Sequence, residues 1–316
     1  MNTELANFKL EQKDISYFGR DLVRPECVWA DKDGLWVSDS RGGIGKVNGD
    51  KSPDLLGHDI AETNGFCRRA NGNFIVSGLL DGTLYEITPA GEQTILLDKL
   101  DGQPLGTVNH AWVDRQDRVW VSIMSSLPRW YDSLLTPDPE GSIILIDEKG
   151  PRVVADKINL TNEVKISPDG KHLYVAETMS SRIIRFPILA GGNLGAREVV
   201  GPESLGYCGF PDGFSFDGQG NVWVTLVCRN GLCVIDRDGE LHTIYDEPNM
   251  AALDAFMTRF EASQATPEDM GACAGAVLAL PTSLAFGGPD LKTVYVGSLG
   301  MDRLAVFRSP IAGPTL

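Results

Sequence analysis

The sequence is poor in basic residues and has no long apolar stretch. Its 28 lysines and arginines are outnumbered by 43 aspartates and glutamates, which gives a formal net charge of −15. This balance argues against nucleic acid or an anionic membrane as a partner, because phosphate binding needs a basic surface. No apolar run approaches the roughly 20 residues that span a bilayer. The sequence therefore predicts neither a nucleic-acid-binding protein nor a membrane-spanning one.

A secretory signal and metal-ligand cysteine spacing are also missing. The opening segment, MNTELANFKLEQKDISYF, lacks a basic region followed by an apolar core. The six cysteines are scattered. Cys228 and Cys233, in CRNGLC, flank an Asn-Gly hairpin turn, so that a cross-strand disulfide is geometrically feasible. Free thiols in a reducing compartment are the favoured interpretation, and we expect a cytoplasmic protein.

Helical periodicity is nearly absent, and a β-hairpin pattern recurs six times instead. Each copy has a turn rich in Asp, Gly or Asn, then an aromatic residue, a Val-like residue and a small residue, as in FDGQGNVWVTLV. Such turns between short β-branched and aromatic runs indicate hairpins. The six aromatic residues are Trp36, Phe74, Trp120, Tyr174, Trp223 and Tyr295. The pattern predicts an all-β, six-bladed β-propeller with four-stranded antiparallel blades.

This repeat is explained less well by a β-sandwich, which needs no six matching hairpins, or by a β-solenoid, which has a shorter and stricter period. We therefore expect one domain over residues 1–316. The run FKLEQKDISYFG precedes the first full unit, and the last unit ends after its third strand. The two are expected to complete one blade, which would close the ring without an open sheet edge.

A polar residue recurs at the start of the first strand of every unit. The strand beginnings are PECVW, TNGFC, VNHAW, TNEVK, PDGFS and PTSLA, and their second residues are Glu26, Asn64, Asn109, Asn162, Asp212 and Thr282. First strands line the channel of a propeller, so these six side chains should converge on its axis. Converging carboxylates repel each other unless a cation or a proton compensates. The oxygen-only set suits Ca²⁺, Mg²⁺ or Mn²⁺.

With these motifs in place, the chain resembles the SMP-30/gluconolactonase family, which includes regucalcin-like and luciferin-regenerating proteins. The most specific segments are RPECVWADKDGLWVSD, LTNEVKISPDGKHLYVAET and FPDGFSFDGQGNVWV. The resemblance implies a six-bladed propeller with one divalent cation on its axis, Ca²⁺ first and Mg²⁺, Mn²⁺ or Zn²⁺ as alternatives. The residues that match the family's cation ligands are Glu26, Asn162 and Asp212.

The resemblance also places Asn109 near the cation and the substrate, but several family side chains around it are replaced. A usual Asn-Asp pair is Asn109-His110 here, an Arg is Thr107, and an acidic residue is Ser125 or Ser126. Since those side chains hold sugar lactones, their loss predicts a less polar substrate. Strand alternation should turn His110 away from the axis, where a structural hydrogen bond between blades is favoured over a catalytic role.

Two long insertions, 125–142 and 247–281, are expected on the rim where the axial strands begin. The second contains AALDAFMTRFEA, the one convincing helical run, and this predicts a short helical lid. Phe256 and Phe260 of that run either line the pocket or pack the helix onto the body. Candidate substrate contacts are Asn64, Asn109, His110, Trp130 and Tyr131.

These features predict a metal-dependent hydrolase that opens a lactone or a related ester. The cation would polarise the carbonyl, and Asp212 or Glu26 would act as the general base that activates water. No Gly-x-Ser-x-Gly motif supports a serine nucleophile. The alternatives are a non-catalytic propeller that binds calcium or a protein partner, a strictosidine-synthase-like propeller, and a propeller enzyme acting on another ester, such as a phosphotriester. The sequence carries no signal for the oligomeric state.

Overall fold

Six four-stranded antiparallel sheets form a ring in the computed structural model, which describes residues 3–49, 51–127, 129–135 and 139–315. The strands of blades 1, 2 and 3 are Val28–Asp31, Gly34–Asp39, Gly43–Lys46 and Leu55–Leu56; Thr63–Arg68, Phe74–Gly78, Thr83–Ile87 and Gln93–Leu97; and Thr107–Val113, Val119–Ser125, Gly141–Asp147 and Gly150–Ile158. Those of blades 4, 5 and 6 are Thr161–Ile166, His172–Glu177, Arg182–Pro187 and Glu198–Val200; Pro211–Phe216, Val222–Leu226, Gly231–Ile235 and Leu241–Tyr245; and Pro281–Gly287, Thr293–Ser298, Leu304–Arg308 and Ser16–Phe18. The predicted six-bladed propeller is confirmed.

The first strand of each blade, which we call the axial strand, faces the centre of the ring. Axial strands of neighbouring blades lie side by side from blade 2 round to blade 1. The outer strand of blade 6 comes from the N-terminal segment, where Ser16 pairs with Val306 and Phe18 pairs with Leu304. The expected closure of the ring is therefore confirmed, and each end of the chain supplies part of blade 6.

All six predicted aromatic residues lie in the second strands of their blades. They fill the space between neighbouring sheets: Trp36 contacts Phe74 of the next blade at 4.8 Å between ring centroids, and Trp223 stacks on Phe307 at 6.1 Å. In blades 3 and 5 an aspartate of the preceding turn holds the indole. Trp120 Nε1 donates to Asp114 at 2.8 Å, and Trp223 Nε1 donates to Asp217 at 3.0 Å.

Replacing Asp217 should destabilise the fold strongly. Its fully buried carboxylate accepts hydrogen bonds from the Trp223 indole, the Asn221 side chain, and the backbone amides of Asn221 and Gln219. Asp217→Ala would leave buried donors unpaired, and we expect a loss of about 3 kcal/mol in the free energy of unfolding. Urea denaturation measures this loss. The exposed turn variant Glu148→Ala should stay within about 0.5 kcal/mol of the parent.

The helices and short turns lie outside the six sheets. The α-helices are Thr3–Ala6, Met250–Glu261 and Pro267–Gly271; the 3₁₀ turns are Gln12–Asp14, Trp130–Leu135, Thr178–Ser180 and Ala190–Gly192; and Lys99–Leu100 pairs with Gln103–Pro104 in a small ribbon. The predicted helical run is confirmed as Met250–Glu261, and it begins where the Asn249 side chain accepts a hydrogen bond from the amide of Ala252. Among the described residues, no helix is both long enough and apolar enough to cross a bilayer.

The boundaries of the insertions differ from the expectations, whereas the favoured interpretation of the cysteines as free thiols is confirmed. Strand residues occupy both ends of the 125–142 insertion and the end of the 247–281 insertion, and residues 128 and 136–138 lie outside the described part of the chain. All six cysteines are buried and free. Cys233 pairs with Val224 in the sheet, so the hairpin does not place it opposite Cys228.

Candidate active site

The axial strands of blades 2 to 6 share an irregularity next to the predicted polar residue. Their pairing with the second strand shifts register at this point, for example between Thr161 and Val164 in blade 4 and between Pro211 and Phe214 in blade 5. A β-bulge of this kind adds unpaired residues to one strand and redirects its side chains. Consecutive residues at the bulge can therefore both face the channel, which regular alternation forbids.

Five of the six predicted polar residues line one cavity at the end of the channel where the axial strands begin. They are Glu26, Asn64, Asn109, Asn162 and Asp212. We call this space the axial cavity. The sixth residue, Thr282, is fully buried, and its hydroxyl donates to the backbone carbonyl of Glu26 at 2.5 Å. Thr282 thus fixes the backbone of Glu26 instead of facing the cavity.

Several oxygens of the axial cavity lack a donor within the described residues. Oε2 of Glu26, Oδ1 of Asn109 and Oδ1 of Asn162 are buried without a hydrogen-bond partner. Asn64 differs, because its amide donates to Oε1 of Glu26 at 3.1 Å and its oxygen accepts from Arg24 at 3.0 Å. Buried acceptors without partners cost free energy, and a hard cation would satisfy all three. The residues present therefore fit a divalent cation.

The electrostatics of the cavity also favour a positive charge. Burial, followed by the negative charge of Glu163, raises the pKa of Asp212 to about 7, while Arg24 and the Asn162 side chain oppose this rise. Burial and the charge of Asp212 likewise raise the pKa of Glu26 well above its usual value. Two carboxylates that are both costly to ionise in the same buried space are stabilised by a compensating cation or by a proton.

Apolar side chains form most of the remaining wall. The lining includes Leu79, Met124, Trp130, Leu134, Leu160, Met179, Phe210, Val227, Phe256, Met270 and Leu299. Trp130 and Leu134 come from the first insertion, and Phe256 and Met270 come from the second, so both insertions cover this end of the channel. Tyr131 packs edge-on against Trp130 at 5.7 Å but is not among the lining residues.

His110 lies elsewhere than strand alternation predicts. The register shift between Val108 and His110 redirects the His110 side chain. The imidazole lies so close to Gly65 of blade 2 that a Cβ atom added at Gly65 would be 2.5 Å from Cδ2 of His110. The expected interblade contact is present as a hydrogen bond to the Val164 backbone, and burial lowers the pKa of His110 to about 4. His110 is not among the residues lining the axial cavity; it lines a second cavity, together with Cys27 and Lys165, where the axial strands end. We call this the far cavity.

The fold and site define a six-bladed propeller with an oxygen-rich, apolar-walled cavity at one end of its channel. The family model described as "SMP-30/Gluconolactonase/LRE-like region" matches residues 25–258. The chain belongs to this family.

Individual relatives cover most of the chain. It is 26% identical over 243 residues to the 6-deoxy-6-sulfogluconolactonase of Pseudomonas putida, an alignment that spans 76% of this chain and 70% of the relative. The fold is similar to that of a gluconolactonase from Xanthomonas campestris, with a TM-score of 0.66, 22% identity, and coverage of 92% of this chain and 88% of the other. It is also similar to regucalcin, a calcium-binding protein from Agrobacterium tumefaciens, with a TM-score of 0.65, 16% identity, and coverage of 94% and 95%.

Proposed function

We propose that this protein is a divalent-cation-dependent hydrolase that opens a lactone, or a related ester, carrying a mainly apolar substituent. The observation that carries the proposal is the set of unpartnered oxygens of Glu26, Asn109 and Asn162 beside Asp212, in a cavity with apolar walls. The lactonase named among the relatives supports the reaction class, and the calcium-binding regucalcin supports the kind of cation.

Glu26, Asn162 and Asp212 would hold the cation, with Asn109 completing the oxygen set. Carboxylate and amide oxygens in this mixture suit Ca²⁺ first, because it accepts several oxygen ligands in flexible geometry. When bound, the cation acts as a Lewis acid toward the carbonyl oxygen of the substrate. Thr282 holds the backbone of Glu26 by a hydrogen bond, and Asn64 holds its side chain.

Asp212 is the better candidate for the general base. At 8% exposure it is the most accessible of the six axial polar residues, compared with 2% for Glu26. Asp212 would take a proton from a water whose oxygen attacks the carbonyl carbon. The ring C–O bond then breaks, and the departing alkoxide would take this proton back from Asp212, so that the product is a hydroxy acid.

Thr107 and Ser125, two polar residues at positions where the family has other side chains, use their hydroxyls outside the axial cavity. The Thr107 hydroxyl donates to the backbone carbonyl of Leu127 at 3.2 Å, and the Ser125 hydroxyl accepts from the amide of Leu127 at 3.0 Å. Both hydroxyls therefore hold the start of the first insertion. This leaves few polar groups for sugar hydroxyls and supports a less polar substrate.

A lactone panel tests the proposal. We expect kcat/KM for γ- and δ-lactones with an alkyl chain to exceed that for gluconolactone by about 10-fold, because a few methylene groups in an apolar pocket contribute this much. A pH-indicator assay measures acid release, EDTA should abolish it, and Ca²⁺ should restore it. Cation binding without turnover of any lactone or ester in the panel would contradict the proposal and favour a calcium-binding module.

A further inference from the structure

A second group of potential metal ligands lies one residue further along the axial strands. Cys27, His110 and Glu163 directly follow Glu26, Asn109 and Asn162, and each offers a ligand atom within 4.8 Å of the others. All three are buried, with 2%, 1% and 1% exposure. They come from blades 1, 3 and 4. Blades 3 and 4 are neighbours, whereas blade 1 reaches them at the channel axis. The bulges in blades 3 and 4 allow this second layer to face inward.

Glycines at the equivalent positions of two other blades leave room for this cluster. A Cβ atom at Gly65 of blade 2 would lie 2.5 Å from Cδ2 of His110, and one at Gly213 of blade 5 would lie 2.5 Å from Cδ of Glu163. A side chain at either position would displace a ligand. The sixth position holds Ser283, whose buried hydroxyl lies beside the Glu163 carboxylate without a well-formed hydrogen bond within the described residues.

The surroundings hold the candidate ligands in place. The Cys27 thiol donates to the backbone carbonyl of Phe66 at 3.6 Å and its sulfur accepts from the Phe66 amide at 3.5 Å, so a metal would replace the first of these hydrogen bonds. Oε2 of Glu163 accepts from Lys165 Nζ at 2.8 Å and from the amide of Phe214 at 3.1 Å, while Oε1 has no partner among the described residues. The His110 ring is hydrogen-bonded to the Val164 backbone, and its buried Nδ1 is unpartnered within the same part of the chain. Outer contacts of this kind orient the ligands of protein metal sites.

We propose that Cys27, His110 and Glu163 form a second cation site that binds Zn²⁺. A thiolate, an imidazole and a carboxylate are ligands that Zn²⁺ accepts in tetrahedral sites, and Ca²⁺ does not favour the first two. The fourth ligand would be the Ser283 hydroxyl or a water. On binding, the Cys27 thiol releases its proton to solvent. The far cavity, which Cys27 and His110 line, gives the ion a route from the opposite end of the channel.

Metal analysis and cobalt spectroscopy of the full chain test this site. Chelator-treated protein is reloaded with Ca²⁺ and Zn²⁺, and bound metal is measured by mass spectrometry after gel filtration. We expect about one equivalent of Zn²⁺ per chain, lost in Cys27→Ser and retained in Cys67→Ser. Cys67 is a matched control, because it is fully buried on the axial strand of blade 2 but is not part of the cluster. Loading wild-type protein with Co²⁺ should produce a near-ultraviolet thiolate-to-cobalt charge-transfer band.

The same experiment separates this site from the proposed catalytic one. The cobalt band should persist in Asp212→Asn, which removes a carboxylate of the axial cavity, and should disappear in Cys27→Ser. If wild-type protein shows no thiolate band and its Zn²⁺ content matches that of Cys27→Ser, the second site does not exist, whatever the activity on lactones. Should Cys27→Ser fail to fold, the band of the wild-type protein decides the question alone.

Discussion

Asp212→Asn should lower kcat for lactone hydrolysis by at least about 100-fold, the usual effect of removing a general base. The substitution keeps the size of the side chain and one ligand oxygen, but it removes the charge and the basicity. Cation affinity should fall as well, because a carboxylate is a stronger ligand for a hard cation than an amide oxygen. Calcium titration and steady-state kinetics at saturating Ca²⁺ measure the two effects separately.

Asp217→Asn is the matched control for this prediction. Asp217 lies just beyond the opposite end of the same axial strand, where it holds a turn and the Trp223 indole. That variant should lose stability but keep cation affinity and kcat. Activity of Asp212→Asn that returns at high Ca²⁺ would make Asp212 a ligand only. Unchanged affinity together with unchanged turnover would reduce it to a turn residue and contradict the proposed mechanism.

Phe256→Ala should raise KM for alkyl lactones by roughly 30-fold, because loss of about 2 kcal/mol of apolar contact corresponds to that factor. Phe256 is 1% exposed, lines the axial cavity and packs edge-on against Phe210 at 6.1 Å between ring centroids. Phe256 is expected to contact the bound substrate and the transition state equally well, so kcat should change little. The variant should also lose about 3–5 kcal/mol of stability from the cavity it creates.

Phe260 supplies the control for the lid. It stacks on Phe256 at 6.1 Å and contacts Phe210, but it is not among the residues that line the axial cavity. Phe260→Ala should therefore reduce thermal stability without changing KM. Equal KM for wild type and Phe256→Ala across alkyl lactones of increasing chain length would show that the helix covers the site without contacting the substrate.

The proposed sites share a structural origin. The bulge in an axial strand presents two consecutive residues to the channel, so that Asn109 and His110, or Asn162 and Glu163, enter successive layers. The first layer is rich in oxygen, and the second adds sulfur and nitrogen. A β-bulge in the axial strands can thus separate a site for a hard cation from a site for a softer cation along the same axis.

The sequence by itself determined the number of blades and the end of the channel at which polar residues gather. Turn residues and aromatic positions are local signals, and their sixfold recurrence predicts six hairpins before any long-range contact is known. The position of Asn162 and Asp212 at strand starts, and of Glu26 just before the axial strand of blade 1, follows from the same count. Closure of the ring through the N-terminal run followed as well, because a sheet edge left open is unfavourable.

Only the tertiary structure decided which polar atoms remain available and which residues form the walls. Asn64 and Thr282 belong to the predicted set, but contacts to Arg24 and Glu26 from other blades occupy them. The bulge at His110 breaks the two-residue period on which its predicted orientation rested. The hydrogen-bond partners of these residues and the walls of the cavities come from segments far apart in the chain, whereas sequence periodicity indicates only the conformation of the local backbone. The sequence could therefore place residues on the axis but could not determine what each of them contacts there.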